Sequence, residues 1–245
     1  MKTNLFSYVL SILVMGALGL TVVRYNQTPA RTFQDDKLKT LQEKKDRFPI
    51  AAYDEPDSND PQKDKLRKEK QKRRNDFKFV TSKPPEWQTE RVFIGEGAMN
   101  FPALPVAASS HVLLGRVTNA EAHLSENKKN VYSEFTISVE KVFKTTNDSI
   151  IEGSEIVIDR VGGYVKYPNG RTMLYRVAST NMPGVNERYL FFLVSKNDQD
   201  FSILTAYSLN SDGISPLDDS PQFEPLRGLT EQALIEKLRN ASATS

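Results

Sequence analysis

The chain has 245 residues, of which 38% are hydrophobic, and its formal net charge is +2. This length and apolar content allow one or two folded domains with a real core. Because cysteine is absent, the sequence excludes disulfides, thiolate metal sites, a cysteine nucleophile and a lipidated N-terminal cysteine. The positive charge is local: residues 63–74 carry a net +6 within a total of +2, so the rest of the chain carries −4.

The first predicted element is a membrane segment from Leu5 to Val23. These nineteen consecutive residues carry no charge and are rich in Leu, Val, Ile and Ala. Nineteen helical residues span about 28 Å, close to the hydrocarbon thickness of a bilayer. We therefore predict that residues 1–24 form a single-pass transmembrane anchor or a signal peptide, with residues 5–23 in the membrane.

Cleavage and orientation of this segment stay open. Small residues such as Gly19 and Ala30 offer processing sites, although the long apolar run favours an uncleaved anchor. The basic residues Arg24 and Arg31 after the segment favour a cytoplasmic C-terminal side, whereas a signal peptide would export everything that follows it. We expect a membrane protein with a periplasmic or extracellular C-terminal domain, and a cleaved, secreted form is the alternative.

Residues 25–86 are predicted to be a charged stalk, largely disordered or helical. They contain few large apolar residues and several prolines, so we expect no core there. The basic stretch 63–74 predicts a solvated helix, and contact with anionic lipid or nucleic acid is the alternative. The Pro84-Pro85 pair ends any helix or strand before it.

Residues 87–245 are typical of a small β domain that ends in a helix. β-Branched and aromatic residues collect in short runs between turn residues, and an apolar face near the C-terminus follows a capping threonine. The run Tyr189–Val194 is apolar on both faces, which predicts a central strand covered on both sides. From the alternation of side chains we expect one barrel interior made of Phe135, Ile137, Val139, Leu190, Phe192 and Val194.

A β-hairpin is predicted around Asn169-Gly170, the strongest turn signal in the chain. Pro168 beside it favours an edge strand or a projecting ribbon. Its tyrosines are the candidate ligand-contact residues: Tyr164, Tyr167 and Tyr175. Aromatic packing across the ribbon is the alternative.

Three stretches of this domain resemble a known family: Ser110–Val117, Glu140–Lys144 and Gly184–Leu193. Together they resemble uncharacterised bacterial exported proteins whose domain is similar to the OB-like barrel of tissue inhibitors of metalloproteinases (TIMP) and netrin modules. The resemblance covers roughly residues 109–210 and includes no chemical motif. It implies an OB-like Greek-key barrel of five strands, partly open, that serves as a binding platform. It does not imply inhibition, because those inhibitors chelate the zinc of their target through an N-terminal cysteine, and this chain has no cysteine.

No catalytic, cofactor or metal site is expected from the sequence. His111 and His123 are the only histidines, and no metal-ligand spacing joins them. Two Ser-x-x-Lys strings occur, at residues 125–128 and 138–141, but neither begins a predicted helix as an acyl-enzyme nucleophile would.

These observations predict a membrane-tethered, exported binding module of unknown ligand that is not an enzyme. Its expected partners are the membrane and an unknown protein or envelope ligand, without a cofactor, and nucleic acid is the less favoured partner. The alternative is a cytoplasm-facing scaffold that uses residues 63–74 against anionic lipid or nucleic acid. An envelope hydrolase is a third, less favoured hypothesis, because no pair of catalytic groups can be placed.

Overall fold

The structure is a computed structural model that describes residues 47–56, 61–77, 79–81, 92–95 and 100–243. The predicted membrane segment, residues 5–23, lies outside these ranges. Among the residues described, no helix is both long enough and apolar enough to cross a membrane.

Within these ranges the chain is mainly β, as the sequence predicts. The strands are β1 (Ile50–Ala52), β2 (Phe79–Thr81), β3 (Val92–Gly95), β4 (His111–Leu124), β5 (Val131–Lys144), β6 (Glu155–Val161), β7 (Gly163–Lys166), β8 (Thr172–Val177), β9 (Arg188–Asn197), β10 (Asp200–Asn210) and β11 (Gly213–Pro216). The helices are α1 (Pro61–Arg73) and α2 (Glu231–Ala243), with 3-10 turns at Arg74–Asp76 and Pro221–Leu226. The C-terminal helix and the helix in the basic stretch are therefore confirmed.

Five of the strands close into a barrel in the order β4-β5-β6-β10-β9. β4 pairs antiparallel with β5 and β9, β5 with β6, and β9 with β10. A short parallel pairing closes the circle, with Phe201 beside Ile158 and Ser202 beside Asp159. Register shifts along β4 and β5 mark bulges, which let these long strands bend around the core. The predicted five-stranded barrel is confirmed, but it is closed and not partly open.

The barrel interior holds Phe135, Ile137 and Val139 of β5, as expected. From β9, however, the interior takes the other set of side chains, Tyr189, Phe191 and Leu193. The assignment of Leu190, Phe192 and Val194 to this interior is therefore wrong. Because β9 is apolar on both faces, its alternation does not show which face turns inward.

The outer face of β9 is covered by the C-terminal part of the chain. Leu190 and Phe192 pack there in a second apolar cluster that includes Phe223, Leu234 and Leu238. α2 brings two of these leucines, and its first turn is capped by Thr230, whose Oγ1 accepts the Ala233 N–H at 3.2 Å. Coverage of β9 on both sides, predicted from its sequence, is confirmed.

A second sheet has the order β1-β7-β8-β3-β2. The β7–β8 hairpin is confirmed, and its turn uses Gly170 at φ +79°. The hairpin is not an edge or projecting ribbon, because β1 pairs with β7 and β3 pairs with β8. Residues before position 87 also enter the core, since Phe48 and Ala51 are buried. The expectation that no core residue lies in 25–86 is wrong for these two.

Candidate functional site

A groove of about 690 Å³ lies on the outer face of β5 and β6, a volume within the range of small-ligand pockets. Because side chains alternate along a strand, Glu134 and Thr136 point outward where Phe135 and Ile137 point into the barrel. α1 forms one wall of the groove, and the turn between β9 and β10 forms another. The lining residues are Leu66, Arg67, Lys70, Asn119, Glu121, Glu134, Thr136, Ser149, Glu155, Ile156, Val157, Asp198, Gln199 and Phe201.

Apolar surface is exposed inside this groove. Leu66 on α1 is 36% exposed and Val157 on β6 is 40% exposed, and both line it. Three other large apolar side chains are exposed in the described part of the chain: Ile50, Ile151 and Val185. Apolar side chains surrounded by polar groups are typical of ligand sites.

The wall formed by α1 is attached to the barrel by ion pairs. Lys70 Nζ lies 2.7 Å from Glu134 Oε1. Arg74 Nη2 lies 2.7 and 2.8 Å from the two carboxylate oxygens of Asp159 on β6. A third ion pair joins Arg73 to Asp200 on β10.

The expectation of a solvated basic helix is therefore wrong on one face. Lys70 is only 6% exposed, and its ammonium group points at the barrel. The single sequence signal for this docking is the −4 charge outside the basic stretch, which carries no information about where the carboxylates lie.

His123, near the end of β4, adds a buried cation between Glu134 and a second carboxylate, that of Glu55. Its Nδ1 lies 3.0 Å from Glu55 Oε1 and its Nε2 lies 3.5 Å from Glu134 Oε2. Burial alone would lower the pKa of His123, but hydrogen bonding and attraction from Glu134 and Glu55 outweigh it and raise the pKa to about 8. Burial would likewise raise the pKa of Glu134, yet His123 and Lys70 lower it to about 2. Glu134 is therefore a permanent anion near neutral pH.

Of the candidate tyrosines, Tyr164 and Tyr175 lie in the second sheet and Tyr167 lies in the turn of its hairpin; none of them lines the groove. Tyr164 and Tyr175 are buried, and Phe48 packs edge-on against Tyr164. The Tyr167 hydroxyl lies 2.8 Å from that of Tyr175, while the ring of Tyr53 stacks on Tyr167. These contacts are aromatic packing, and a role of the three tyrosines in ligand contact stays a prediction.

The two histidines sit at opposite ends of β4. His111 Nδ1 lies 3.0 Å from Thr145 Oγ1, and its ring packs edge-on against Phe201. Within the ranges that the structure describes, no three His, Asp or Glu side chains are arranged to hold a metal ion.

Comparison with known proteins does not assign the chain to a family. No protein-family model matches the sequence, and no curated protein matches it. The resemblance to exported OB-like proteins therefore stays a prediction, and the function is inferred from the groove itself.

Proposed function

We propose that the protein is a binding module whose ligand occupies the groove on β5 and β6. The observation that carries this proposal is the groove itself: about 690 Å³, with Leu66 and Val157 exposed among fixed charges. Apolar side chains supply contact area for a ligand, and a few convergent charges orient it.

We also propose that the barrel is of the OB type. The strand order β4-β5-β6-β10-β9, with β6 and β10 parallel, supports this assignment. OB barrels bind ligands on their second and third strands and on the loops that join strands one to two and four to five. In this chain these are β5, β6, residues 125–130 and the turn at residues 198–199, and that turn lines the groove. The TIMP and netrin resemblance adds the same expectation of a binding platform, without inhibitory activity.

A binding role fits the groove better than catalysis. Glu134 cannot accept a proton near neutral pH, because its pKa is about 2. His123 is held between two carboxylates and is 1% exposed, so a substrate has no access to it. We therefore infer a protein that is not an enzyme.

For the whole chain we propose a membrane-tethered, exported module, held by residues 5–23 and displayed on the periplasmic or extracellular side. A secreted form cleaved after this segment is the alternative. The hypothesis of a cytoplasm-facing scaffold that uses residues 63–74 against lipid or nucleic acid has less support. Three basic residues of this stretch already pair with barrel carboxylates: Lys70, Arg73 and Arg74.

Site-specific photo-crosslinking tests the groove. A photoreactive amino acid is placed at Val157 of the full chain, and a control is placed at Val185, which is 45% exposed and does not line the groove. We expect a discrete adduct from position 157 and none from position 185. A second substitution, Thr136→Arg, places a long side chain in the groove and should abolish the adduct without lowering the melting temperature. Identical adduct patterns at the two positions would contradict the proposal.

A further inference from the structure

α1 and the 3-10 turn after it lie across the face to which the proposed ligand groove belongs. At one end Asn75 Nδ2 donates to Glu126 Oε2 at 3.0 Å, and Asn75 Oδ1 accepts the Asn127 N–H at 3.0 Å. Both partners belong to the loop between β4 and β5. At the same end Arg73, two residues earlier, pairs with Asp200, the first residue of β10. The C-terminal end of α1 and the 3-10 turn therefore contact one of the two loops and, through Lys70 and Arg74, both of the strands that an OB barrel offers to a ligand.

This helix is docked by charge and hardly by apolar packing. Its sequence, PQKDKLRKEKQKR, contains one large apolar residue, Leu66, and 36% of that side chain remains exposed. α2 has the same length of 13 residues but docks through Leu234 and Leu238, which are 0% and 1% exposed. Most helices in proteins are stabilised by such an apolar face, and α1 lacks one.

The interface under α1 is also poorly satisfied. The buried side-chain atoms that lack a hydrogen-bond partner within the described residues include Arg73 Nε and Nη2, Arg74 Nε and the Tyr132 hydroxyl, all at this interface. Each unsatisfied buried polar group is costly, and opening of the interface would return these groups to water. A contact of this kind is suited to reversible opening.

We propose that α1 is a reversible cover of the ligand face, and that the ligand which replaces it is a Lys/Arg-rich helical segment of a partner protein. This inference rests on the proposed function and specifies the class of its ligand: the segment binds first in the groove beside α1 and then takes the place of α1 on the same face. The face under α1 presents Glu134, Asp159 and Asp200, which now pair with cations of α1 and of the 3-10 turn after it. A basic segment satisfies the same carboxylates, whereas nucleic acid or anionic lipid meets like charge there.

Competition between α1 and the partner sets the apparent affinity. A helix that belongs to the same chain competes at an effective concentration on the order of millimolar. A partner segment therefore binds the wild-type chain weakly, and it binds more tightly once α1 is released, because the open fraction multiplies the intrinsic affinity.

Hydrogen exchange on the full chain tests whether charge holds the cover closed. Exchange is measured by mass spectrometry at about 0.05 M and about 1 M salt, where screening lengths differ several-fold. Amides of α1 should exchange about tenfold faster or more at high salt, while amides of α2 should not change, since salt does not weaken apolar packing. Equal responses of the two helices, or no response in α1, would overturn the proposal that α1 is a reversible cover held closed by charge.

Peptide binding tests the class of ligand. The probe is a labelled peptide of residues 61–77, added to the full chain carrying Lys70→Glu and Arg74→Glu. The matched control carries Lys65→Glu and Lys72→Glu, which change the charge equally on exposed positions of α1. We expect the first variant to bind the probe about tenfold or more tightly than the wild type, the control to resemble the wild type, and a probe with Gln in place of Lys and Arg not to bind.

No gain in the first variant, or an equal gain in the control, would overturn the proposed ligand class. Unchanged exchange of α2 amides verifies that the first variant stays folded. If the first variant does not stay folded, the milder pair Lys70→Gln and Arg74→Gln replaces it. If position 157 still crosslinks a partner while these tests fail, the cover is wrong and the proposed groove function stands. If only the adduct at position 157 is lost, the proposed function of the groove is wrong. The response of the α1 amides to salt then decides whether α1 is a reversible cover.

Discussion

Substitution of Asp218 by alanine should destabilise the protein more than any change to an exposed ion pair. Asp218 accepts hydrogen bonds from Arg160 Nη1 at 2.8 Å and Arg160 Nη2 at 2.7 Å. It also accepts the Asn181 N–H at 3.1 Å and the Thr205 hydroxyl at 2.9 Å. Its side chain is fully buried, and that of Arg160 is 6% exposed. The aspartate therefore joins β6, β10 and the loop after β8 in the interior.

The expected loss follows from the burial of the arginine left behind. Truncation leaves the buried guanidinium group, among the described residues, with the carbonyl oxygens of Asn181 and Leu204 as its acceptors. Removal of one partner of a buried pair costs about 3–5 kcal/mol, a large fraction of the roughly 5–15 kcal/mol that stabilises a typical domain. Replacing both residues, as in Asp218→Leu with Arg160→Met, should recover part of this loss, because no buried charge is then unpaired.

The exposed pair of Arg227 and Glu224 is the matched control. Its two contacts, 2.7 and 2.9 Å, are as short as those of the buried pair, but its side chains are 46% and 53% exposed. Glu224→Ala should therefore cost about 0–1 kcal/mol. Urea denaturation of the full-length variants, followed by circular dichroism, measures both losses. Equal losses for Asp218→Ala and Glu224→Ala would refute the argument that burial sets the cost.

Two further predictions concern the barrel. Phe192→Ala should lower the free energy of unfolding by roughly 3–5 kcal/mol, because the Phe192 side chain is fully buried against the C-terminal segment. Thr136→Ala on the groove face should cost less than about 1 kcal/mol. Equally mild losses in urea denaturation would show that the assigned faces are wrong. Stability should fall as pH rises, because folding raises the pKa of His123 from 6.5 to about 8. The stabilisation that protonated His123 contributes is therefore complete below pH 6.5 and is lost as pH rises through 8. The loss should be roughly 2 kcal/mol between about pH 6 and about pH 9, and a His123→Gln variant that kept the same pH dependence would assign it to another group.

Several elements could be predicted because their signals are local. Asn169-Gly170 marks the β7–β8 hairpin, and the apolar face near the C-terminus marks α2. The alternation around Phe135 correctly turns that side chain into the barrel. The inward face of β9 could not be predicted, since both of its faces are apolar and each finds a core.

The groove could not be predicted either, because its walls are far apart in the chain. Lys70 and Glu134 are separated by 64 residues, and Arg74 and Asp159 by 85. The candidate tyrosines stood out because aromatic residues flank a clear turn, yet two of the three are buried by β-sheet packing.

By itself, the sequence determined the uncharged N-terminal run, the helix in the basic stretch, the turns and the alternation of most strands. Each of these depends on residues within a few positions of one another, where backbone geometry sets the period. Only the tertiary structure decided which carboxylates meet α1, which face of β9 turns inward and which strands flank the hairpin. Those outcomes depend on the order of the strands around the barrel and in the second sheet, which brings together charges and apolar faces from distant parts of the chain.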